Sequence, residues 1–474
     1  MIKVKKGETL FEAIRKNKMN IDTSCGGKKK CGKCKIKTIG YIEPCNEEIC
    51  LLTEEEIKNN IRLACVHGAL DKDIWIEEAN SFDDFQILSD EDTLVCGNET
   101  GYVAGMDIGT TTIVLSVYKI DTAKKVEEFR FLNPQKFYGA DVISRIQACN
   151  ETGVKELHDC LIKKVNECLL KMTYKIKRLC VCGNAVMTHI FMNEDPSSIG
   201  VAPYVCKVND YRSYSSSGVF SLPYDFEIQV LPALSAFVGS DILMGIYAVS
   251  LNDKELLIDL GTNGEMVLFD QDQYIVTSAA CGPAFEGGHM KCGTGAISGA
   301  VDKVWFDREL KYHTIQNKEV TGVCGNGYIS WIATLLNENI LQENGYLEKE
   351  SCLKEGIVLT RKDVREFQLS KSAITSALDC LLQDGEVRQV YLSGGFSKNI
   401  EILDWIRLGI FYRSWKEKIS ISGNTALRGI CQFAILQDKN KVEMIQRKSK
   451  TISLMETPLF FERFVDNMYF VERE

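Results

Sequence analysis

Cys25, Cys31 and Cys34 stand together in the run Ser-Cys-Gly-Gly-Lys-Lys-Lys-Cys-Gly-Lys-Cys, and Cys65 follows in Arg-Leu-Ala-Cys-Val. This C-x5-C-x2-C…C spacing constrains the N-terminal fold more than any other feature of the chain. Iron–sulfur centres are held by thiolates, and a [2Fe–2S] centre needs four. Three ligands on one loop force the backbone to bend around the cluster, and Gly26, Gly27 and Gly32 supply the room and the positive φ for that bend. Thr53 and Glu56 form a capping box that opens a short helix ahead of Cys65, so the fourth cysteine comes from a fixed element. Cys45 and Cys50 compete for that fourth place. A zinc site is the plain alternative, but such sites more usually repeat C-x2-C, and no second pair occurs nearby. The pattern is a [2Fe–2S] ferredoxin signature.

The remaining composition sets limits. At 474 residues the chain is too long for one core, so two or three domains are expected. A net charge of −9 and a pI near 5.4 argue against a nucleic-acid partner. The Met-Ile-Lys-Val-Lys-Lys-Gly start has no apolar signal core, and the most apolar stretch, Leu231 to Leu251, is too polar to span a membrane. Nineteen cysteines suit metal or redox chemistry in a cytoplasmic chain rather than a disulfide framework. Cys149, Cys160, Cys168 and Cys180 are scattered as buried structural thiols are.

Residues 1–80 alternate short strand-like runs with Gly and Lys turns, with a helix at Leu10 to Lys16. Residues 81–101 are acidic and aperiodic, a linker. From Tyr102 a pattern of strand, Gly-rich turn, strand and helix begins, and it recurs near Leu256. Two such openings about 150 residues apart predict a duplicated α/β unit over 102–440, with lobes of about 102–250 and 251–440. Residues 441–474 are expected to form a peripheral C-terminal element.

Each opening carries the same grammar. Met-Asp107-Ile-Gly109-Thr110-Thr111-Thr112 follows a hydrophobic strand, and Leu-Ile-Asp259-Leu-Gly261-Thr262-Asn263-Gly264-Glu265 repeats it. An aspartate at a strand end can orient Mg²⁺-bound water, and the Gly-Thr turn offers N–H and hydroxyl donors to phosphates. Gly394 and Gly395 end a further strand in a turn suited to close approach of adenosine. No P-loop is present, nor a G-x-G-x-x-G placed after a strand, so an on-board flavin or nicotinamide domain is not expected. The three features in this order resemble the phosphate-1, phosphate-2 and adenosine motifs of the actin, sugar-kinase and Hsp70 superfamily.

The whole chain resembles the reductive activators of corrinoid proteins. The resemblance is carried by Asn133-Pro134-Gln135, Tyr138-Gly139-Ala140-Asp141-Val142-Ile143-Ser144-Arg145, Gly183-Asn184, Asp195-Pro196-Ser197-Ser198 and Ala280-Cys281-Gly282-Pro283-Ala284-Phe285-Glu286-Gly287. It continues in Gly322-Val323-Cys324-Gly325-Asn326-Gly327, the block from Lys362 to Leu369, and the Phe-Val-x-x-Met-x-Phe tail at Phe464. It implies a β-grasp [2Fe–2S] ferredoxin domain followed by a two-lobed actin-like, ribonuclease H-like ATPase. It also implies ATP-dependent reduction of a corrinoid protein from Co(II) to Co(I), with an external low-potential electron donor and a methyltransferase system as setting. Cys25, Cys31, Cys34 and Cys65 would hold the cluster. Asp107 and Asp259 would place Mg²⁺ and water, with Gly109, Thr110, Thr111, Thr112, Gly261, Thr262, Asn263, Gly264, Gly394 and Gly395 around ATP. A homodimer is compatible with the chain. Two other readings share some of these features: an ATP-dependent iron–sulfur activator of a radical enzyme, and a redox-sensing module whose partner affinity ATP switches.

Three departures from those relatives stand out. They usually carry Gly where Lys29 stands, so the cluster loop is expected to differ in shape. They often have a longer segment after the ferredoxin domain, and they often read His-Gly-Met-Arg where this chain has Lys291-Cys292-Gly293. Lys28, Lys29, Lys30, Lys33, Lys35 and Lys37 predict a positive patch beside the cluster. His67 and His289 are expected to be structural or surface residues, Met187-Thr188-His189 to be packing, and Glu286 to be either a functional carboxylate or one that fixes its loop.

Overall fold

The computed structural model describes residues 1–17, 19, 21, 27–29, 32–77, 94–139, 141–383, 385–394 and 400–474. Its N-terminal unit is a four-stranded antiparallel sheet in the order Ile2–Val4, Ile74–Ile76, Lys35–Ile39, Ile61–Leu63. Lys35–Ile39 alternates outward and inward, burying Ile36 and Thr38 and exposing Lys35 and Lys37. That period of two is what one solvated face requires. Helix Leu10–Lys16 covers the other face, opened by the Thr9–Glu12 capping box. Leu10, Ala13 and Ile14 meet Val4, Ile36, Leu63 and Ile76 in a small core.

The rest of the chain is built on two six-stranded sheets. In the first, Tyr102–Ile108, Thr112–Lys119 and Lys124–Leu132 form an antiparallel meander. Ile176–Gly183 then pairs parallel to the first strand, and Glu227–Val230 lies parallel beyond it. In the second, Glu255–Leu260, Gly264–Asp270 and Gln273–Ala279 make the same meander, and Gln389–Ser393 and Ile419–Gly423 extend it by parallel pairing. The spatial order third, second, first, fourth, fifth recurs in both sheets. The duplication expected from the two Asp-x-Gly-Thr runs is therefore present in the backbone. The central strands are buried on both faces, which is why Tyr102–Ile108 and Glu255–Leu260 read as nearly continuous apolar runs.

Helices Ser240–Val249 and Thr425–Leu436 pack on each other between the sheets, in a core with Val103, Leu257, Ile430 and Phe433. Their backbones touch: a Cβ on Gly429 would stand 1.9 Å from the carbonyl oxygen of Met244. The C-terminal segment is not peripheral. Ser449–Thr451 is an edge strand of the second sheet, and Phe470 is fully buried in its core. Gln368 and Lys371, on helix Arg361–Leu382, donate to the carbonyls of Met468, Asn467 and Tyr469. An apolar tail with polar flanks reads as surface in sequence, but these donors bury it. Among the described residues no helix is long and apolar enough to cross a membrane.

Candidate functional site

The cysteine site comes first in the chain. Cys34 lies just before strand Lys35–Ile39, and Cys65 just after strand Ile61–Leu63, the neighbour to which it is paired. The pairing brings two thiols separated by 31 positions to an Sγ–Sγ distance of 3.3 Å. Disulfide sulfurs sit about 2.05 Å apart, so this is a pair of thiols facing a common point. Cys25 and Cys31 lie outside the described residues. Of the competitors, Cys45 caps helix Asn46–Leu51, and Cys50 is exposed on that helix. Lys29 has φ +58°, the left-handed conformation glycine would supply. The loop keeps that turn here with a side chain on it, at a cost of about 1–2 kcal/mol.

His67 lies against a buried carboxylate. Its Nε2 is 3.0 Å from Oε2 of the fully buried Glu48, whose Oε1 accepts from the Leu63 amide at 2.5 Å. Glu48 also accepts from the Cys45 amide, so it ties three segments around the Cys65 strand. Hydrogen bonds and the imidazole hold its carboxyl below the usual range against the opposing effect of burial. The lysine patch is thinner than the sequence suggests. Lys35 pairs with Glu56 at 2.5 Å, Lys37 with Glu77 at 2.8 Å, and Lys33 reaches the Gly293 carbonyl at 3.4 Å. Lys28 and Lys29 are exposed, and Lys30 lies outside the described residues.

The second site lies between the sheets. Asp107 and Asp259 are each the last residue but one of the first strand of their sheet. A chain of contacts joins them. Asn424 Nδ2 donates to Asp107 Oδ2 at 2.9 Å, the adjacent Thr425 hydroxyl meets Ser393 Oγ at 2.8 Å, and Ser393 Oγ donates to Asp259 Oδ2 at 2.8 Å. The two halves of the duplication thus meet at one place. Asp241, Glu265 and Glu286 join them there. Asp241 opens the inter-sheet helix, and Glu265 faces Asp259 across the meander. Glu286 accepts from Thr262 Oγ1 at 2.9 Å.

Desolvation raises the pKa of every one of these carboxylates. Asp107 goes to about 6, with Asp259 adding to the rise and Asn424 opposing it. Asp241 goes to about 7, with Asp107 and Asp259 as its charged neighbours. Asp259, Glu265 and Glu286 are also raised. Asp259 is the hub, since it is a charged neighbour of each of the other four. Crowded acids of this kind are relieved by a hard cation with oxygen ligands.

The two turns are completed differently. In the first, all three carbonyls point away from the strand end into protein. Asn133 Nδ2 donates to the Gly109 oxygen at 2.9 Å, Arg145 Nη2 to Thr110 at 2.5 Å, and the Asn133 amide to Thr111 at 2.8 Å. Arg145 is fully buried, and its remaining described bonds go to the Gly139 carbonyl, Gln135 Oε1 and Met187 Sδ. Burial lowers its pKa to about 10, so it remains charged at neutral pH. In the second turn Gly261 N–H bonds to the Asn263 carbonyl, and the Cys281 thiol touches the carbonyls of Gly261 and Thr262. Thr112 and Gly264 begin the strands that leave the turns. Gly394 has φ +116°, and a Cβ there would lie 2.2 Å from the Leu260 carbonyl oxygen, so the position requires glycine. Gly395 lies outside the described residues. Elsewhere in the second lobe, a cavity of about 310 Å³ is lined by Asp302, His313, Asn326, Glu401 and Asp404.

Asp241, Glu265, Asn424, Arg145 and Asn133 are not singled out as site residues by the sequence. Glu265 stands inside the second Asp-x-Gly-Thr run, and Asn133 and Arg145 lie inside blocks of the resemblance, so a signal existed for these three. Asp241 and Asn424 carry none, because each merely begins a helix.

Comparison with known proteins finds family models from residue 102 onward. Residues 102–254 match the family model of the RACo middle region, and residues 253–474 that of the C-terminal domain of RACo, the ASKHA domain. A corrinoid activation enzyme, RamQ, from Eubacterium limosum is 28% identical over 78% of this chain and 70% of its own length. A [Co(II) methylated amine-specific corrinoid protein] reductase from Methanosarcina barkeri is 26% identical over 78% of this chain and 76% of its own length. A solved structure, a reductive activator for a corrinoid, iron–sulfur protein, superposes with a TM-score of 0.72 at 23% identity, covering 98% of this chain and 96% of that one.

Proposed function

This chain belongs to the RACo family of reductive activators of corrinoid proteins, and from that premise we propose that it uses ATP to reduce the Co(II) form of a corrinoid protein to Co(I). The observation that carries the reading is the Cys34–Cys65 thiol pair, held at 3.3 Å by strand pairing in the unit that precedes a duplicated nucleotide fold. That donor set fits a [2Fe–2S] cluster, with Cys25 and Cys31 as the remaining ligands in a ferredoxin domain of residues 1–80. Such a cluster, when bound, supplies a one-electron carrier near about −400 mV. Glu48 and His67 hold the Cys65 strand against the helix that starts at Cys45, which fixes where that thiol points.

In residues 102–440, Thr110, Thr111 and the amides of the first turn would receive phosphates, with the buried Arg145 charge behind them. Asp107 and Asp259, joined through Asn424, Thr425 and Ser393, would hold Mg²⁺ and its water. Glu286 fixes Thr262, and the turn at Gly394, which packs closely on Leu260, would face adenosine. The external low-potential donor gives one electron and the substrate cobalt takes it. Each 100 mV uphill costs about 2.3 kcal/mol per electron. Nucleotide contributes only if it binds the two conformations of the activator–partner complex unequally. The cytoplasm is the setting this chemistry suits.

The test is stopped-flow spectroscopy of a purified Co(II) corrinoid protein mixed with the reduced activator, with Mg-ATP, with a non-hydrolysable analogue and without nucleotide. Co(I) should accumulate only with Mg-ATP. Equal rates and yields in all three arms would overturn the ATP-driven reading and leave a plain electron carrier.

A further inference from the structure

The N-terminal unit does not hang freely. Phe137, from the first nucleotide lobe, packs against the N-terminal core. The Arg15 guanidinium lies 4.6 Å over the Tyr138 ring and pairs with Glu156 at 2.5 Å, and the Tyr138 hydroxyl donates to the same carboxylate at 2.9 Å. Phe137 and Tyr138 belong to the short 3₁₀ turn Pro134–Tyr138. This turn is flanked by the two residues that grip the first Asp-x-Gly-Thr turn. Asn133 precedes it and holds the carbonyls of Gly109 and Thr111. Arg145 follows it, holds Thr110, and returns to the segment at Gly139 and Gln135. Gln135 also donates to the Leu157 carbonyl, next to Glu156.

We propose that segment 133–145 couples the first phosphate turn to the N-terminal unit, so that nucleotide at one end and docking at the other sense each other. The proposal rests on the nucleotide reading of that turn. Asn133 and Arg145 are positioning residues in it, acting through the turn. The path is short, buried and made of directional bonds at the turn end. At the docking end it is an ion pair with both partners partly exposed, a contact weak enough to be made and broken. Lys33, next to Cys34, meets Gly293 on the other lobe. The unit therefore touches both lobes.

Coupling between two binding events is reciprocal, which makes it measurable without electron transfer. The experiment titrates a fluorescent ATP analogue with Mg²⁺ into the full chain, into Arg15→Glu, and into Arg15→Glu with Glu156→Arg. It also follows amide hydrogen exchange of Leu10–Lys16 with and without Mg-ATP, in the full chain and in Asn133→Ala. Arg15→Glu, which the structure places away from the nucleotide turns, should shift nucleotide affinity about fivefold or more, and the swapped pair should restore it to within about twofold. Mg-ATP should change exchange across Leu10–Lys16 in the full chain and not in Asn133→Ala. Nucleotide that binds with unaltered affinity in Arg15→Glu and leaves Leu10–Lys16 unchanged would overturn the link alone. A shift that the swapped charges fail to restore would trace to general destabilisation and also overturn it. A chain that binds no nucleotide would overturn the functional reading and the link with it.

Discussion

The first and second Asp-x-Gly-Thr turns occupy equivalent places in the two sheets, and they are fastened with opposite charge. Behind the first, Asn133 and the buried Arg145 hold the carbonyls of Gly109, Thr110 and Thr111. Around the second stand Asp259, Glu265 and Glu286, with Thr262 tied to the last of these. Duplicating a backbone does not duplicate its electrostatics. A turn backed by a cation suits an anion such as phosphate, and a turn ringed by raised carboxylates suits a cation. What packs behind each turn differs, although Asp107 of the first turn reaches the same acidic cluster as Asp259 of the second.

The largest expected effect that would test this difference is at the acidic hub. Asp259→Asn should lower ATP turnover by about 100-fold or more, the loss seen when one preorganised electrostatic group is removed. It should also raise the melting temperature of the Mg²⁺-free protein at pH 8, because the like-charge neighbour of four acids is gone. Lost turnover with lowered stability would break the view of Asp259 as a strained cation ligand.

At the first turn the sign reverses. Arg145→Met leaves the Thr110 and Gly139 carbonyls without their donor, at about 1–3 kcal/mol for each buried group. Chemical denaturation should show that loss, and nucleotide affinity should fall about tenfold. Unchanged affinity in a folded variant would mean that the charge behind the first turn does not serve phosphate.

The acids also predict a pH dependence. Asp107 at about 6 and Asp241 at about 7 lie above the ordinary value near 3.9, so the folded state holds these protons more tightly than the unfolded one. The stability they contribute is full below about pH 4 and is lost as pH rises through 6 and 7. Carboxylates shifted the other way, such as Glu48 and Glu128, have completed their contribution above about pH 5. Between pH 5 and pH 8 the metal-free protein should therefore lose on the order of 4 kcal/mol, about a third of it through Asp107 and the rest through Asp241, and Mg²⁺ should flatten the slope. Urea unfolding at several pH values, with and without Mg²⁺, measures both; a slope indifferent to Mg²⁺ would separate the acids from cation binding.

The smallest effect belongs to Glu286. Glu286→Gln keeps the shape and an acceptor for Thr262 while removing one charge, so turnover should fall about tenfold and the Mg²⁺ concentration for half-maximal rate should rise. An unaltered Mg²⁺ requirement would make Glu286 a loop-fixing residue only.

Much of this arrangement is legible in the chain because its signals are local. Helix Leu10–Lys16 has its capping box within four residues, and the Asp-x-Gly-Thr runs sit directly at strand ends. The terminal segment shows where local reading stops. Its polar flanks suggest a surface element, yet Lys371 and Gln368, about a hundred positions earlier, bury it through backbone carbonyls. The lysines beside Cys34 mislead for the same reason. Glu56, on helix Glu54–Lys58, and Glu77, just after strand Ile74–Ile76, neutralise two of them, and the attraction expected of six is reduced.

The sequence alone determined the cysteine spacing, the two repeated turns, the duplicated strand–turn–strand openings and the family resemblance, because periodicity and turn chemistry depend on residues a few positions apart. Tertiary structure alone decided which acids gather round Asp259, that Asn424 reaches Asp107 across 317 positions, that Glu48 answers His67, and that Arg145 stands behind Thr110. Charge and hydrogen-bond partnership depend on distance in space. A sequence records that a side chain will be buried, and only the packed fold brings its partner to within three ångströms.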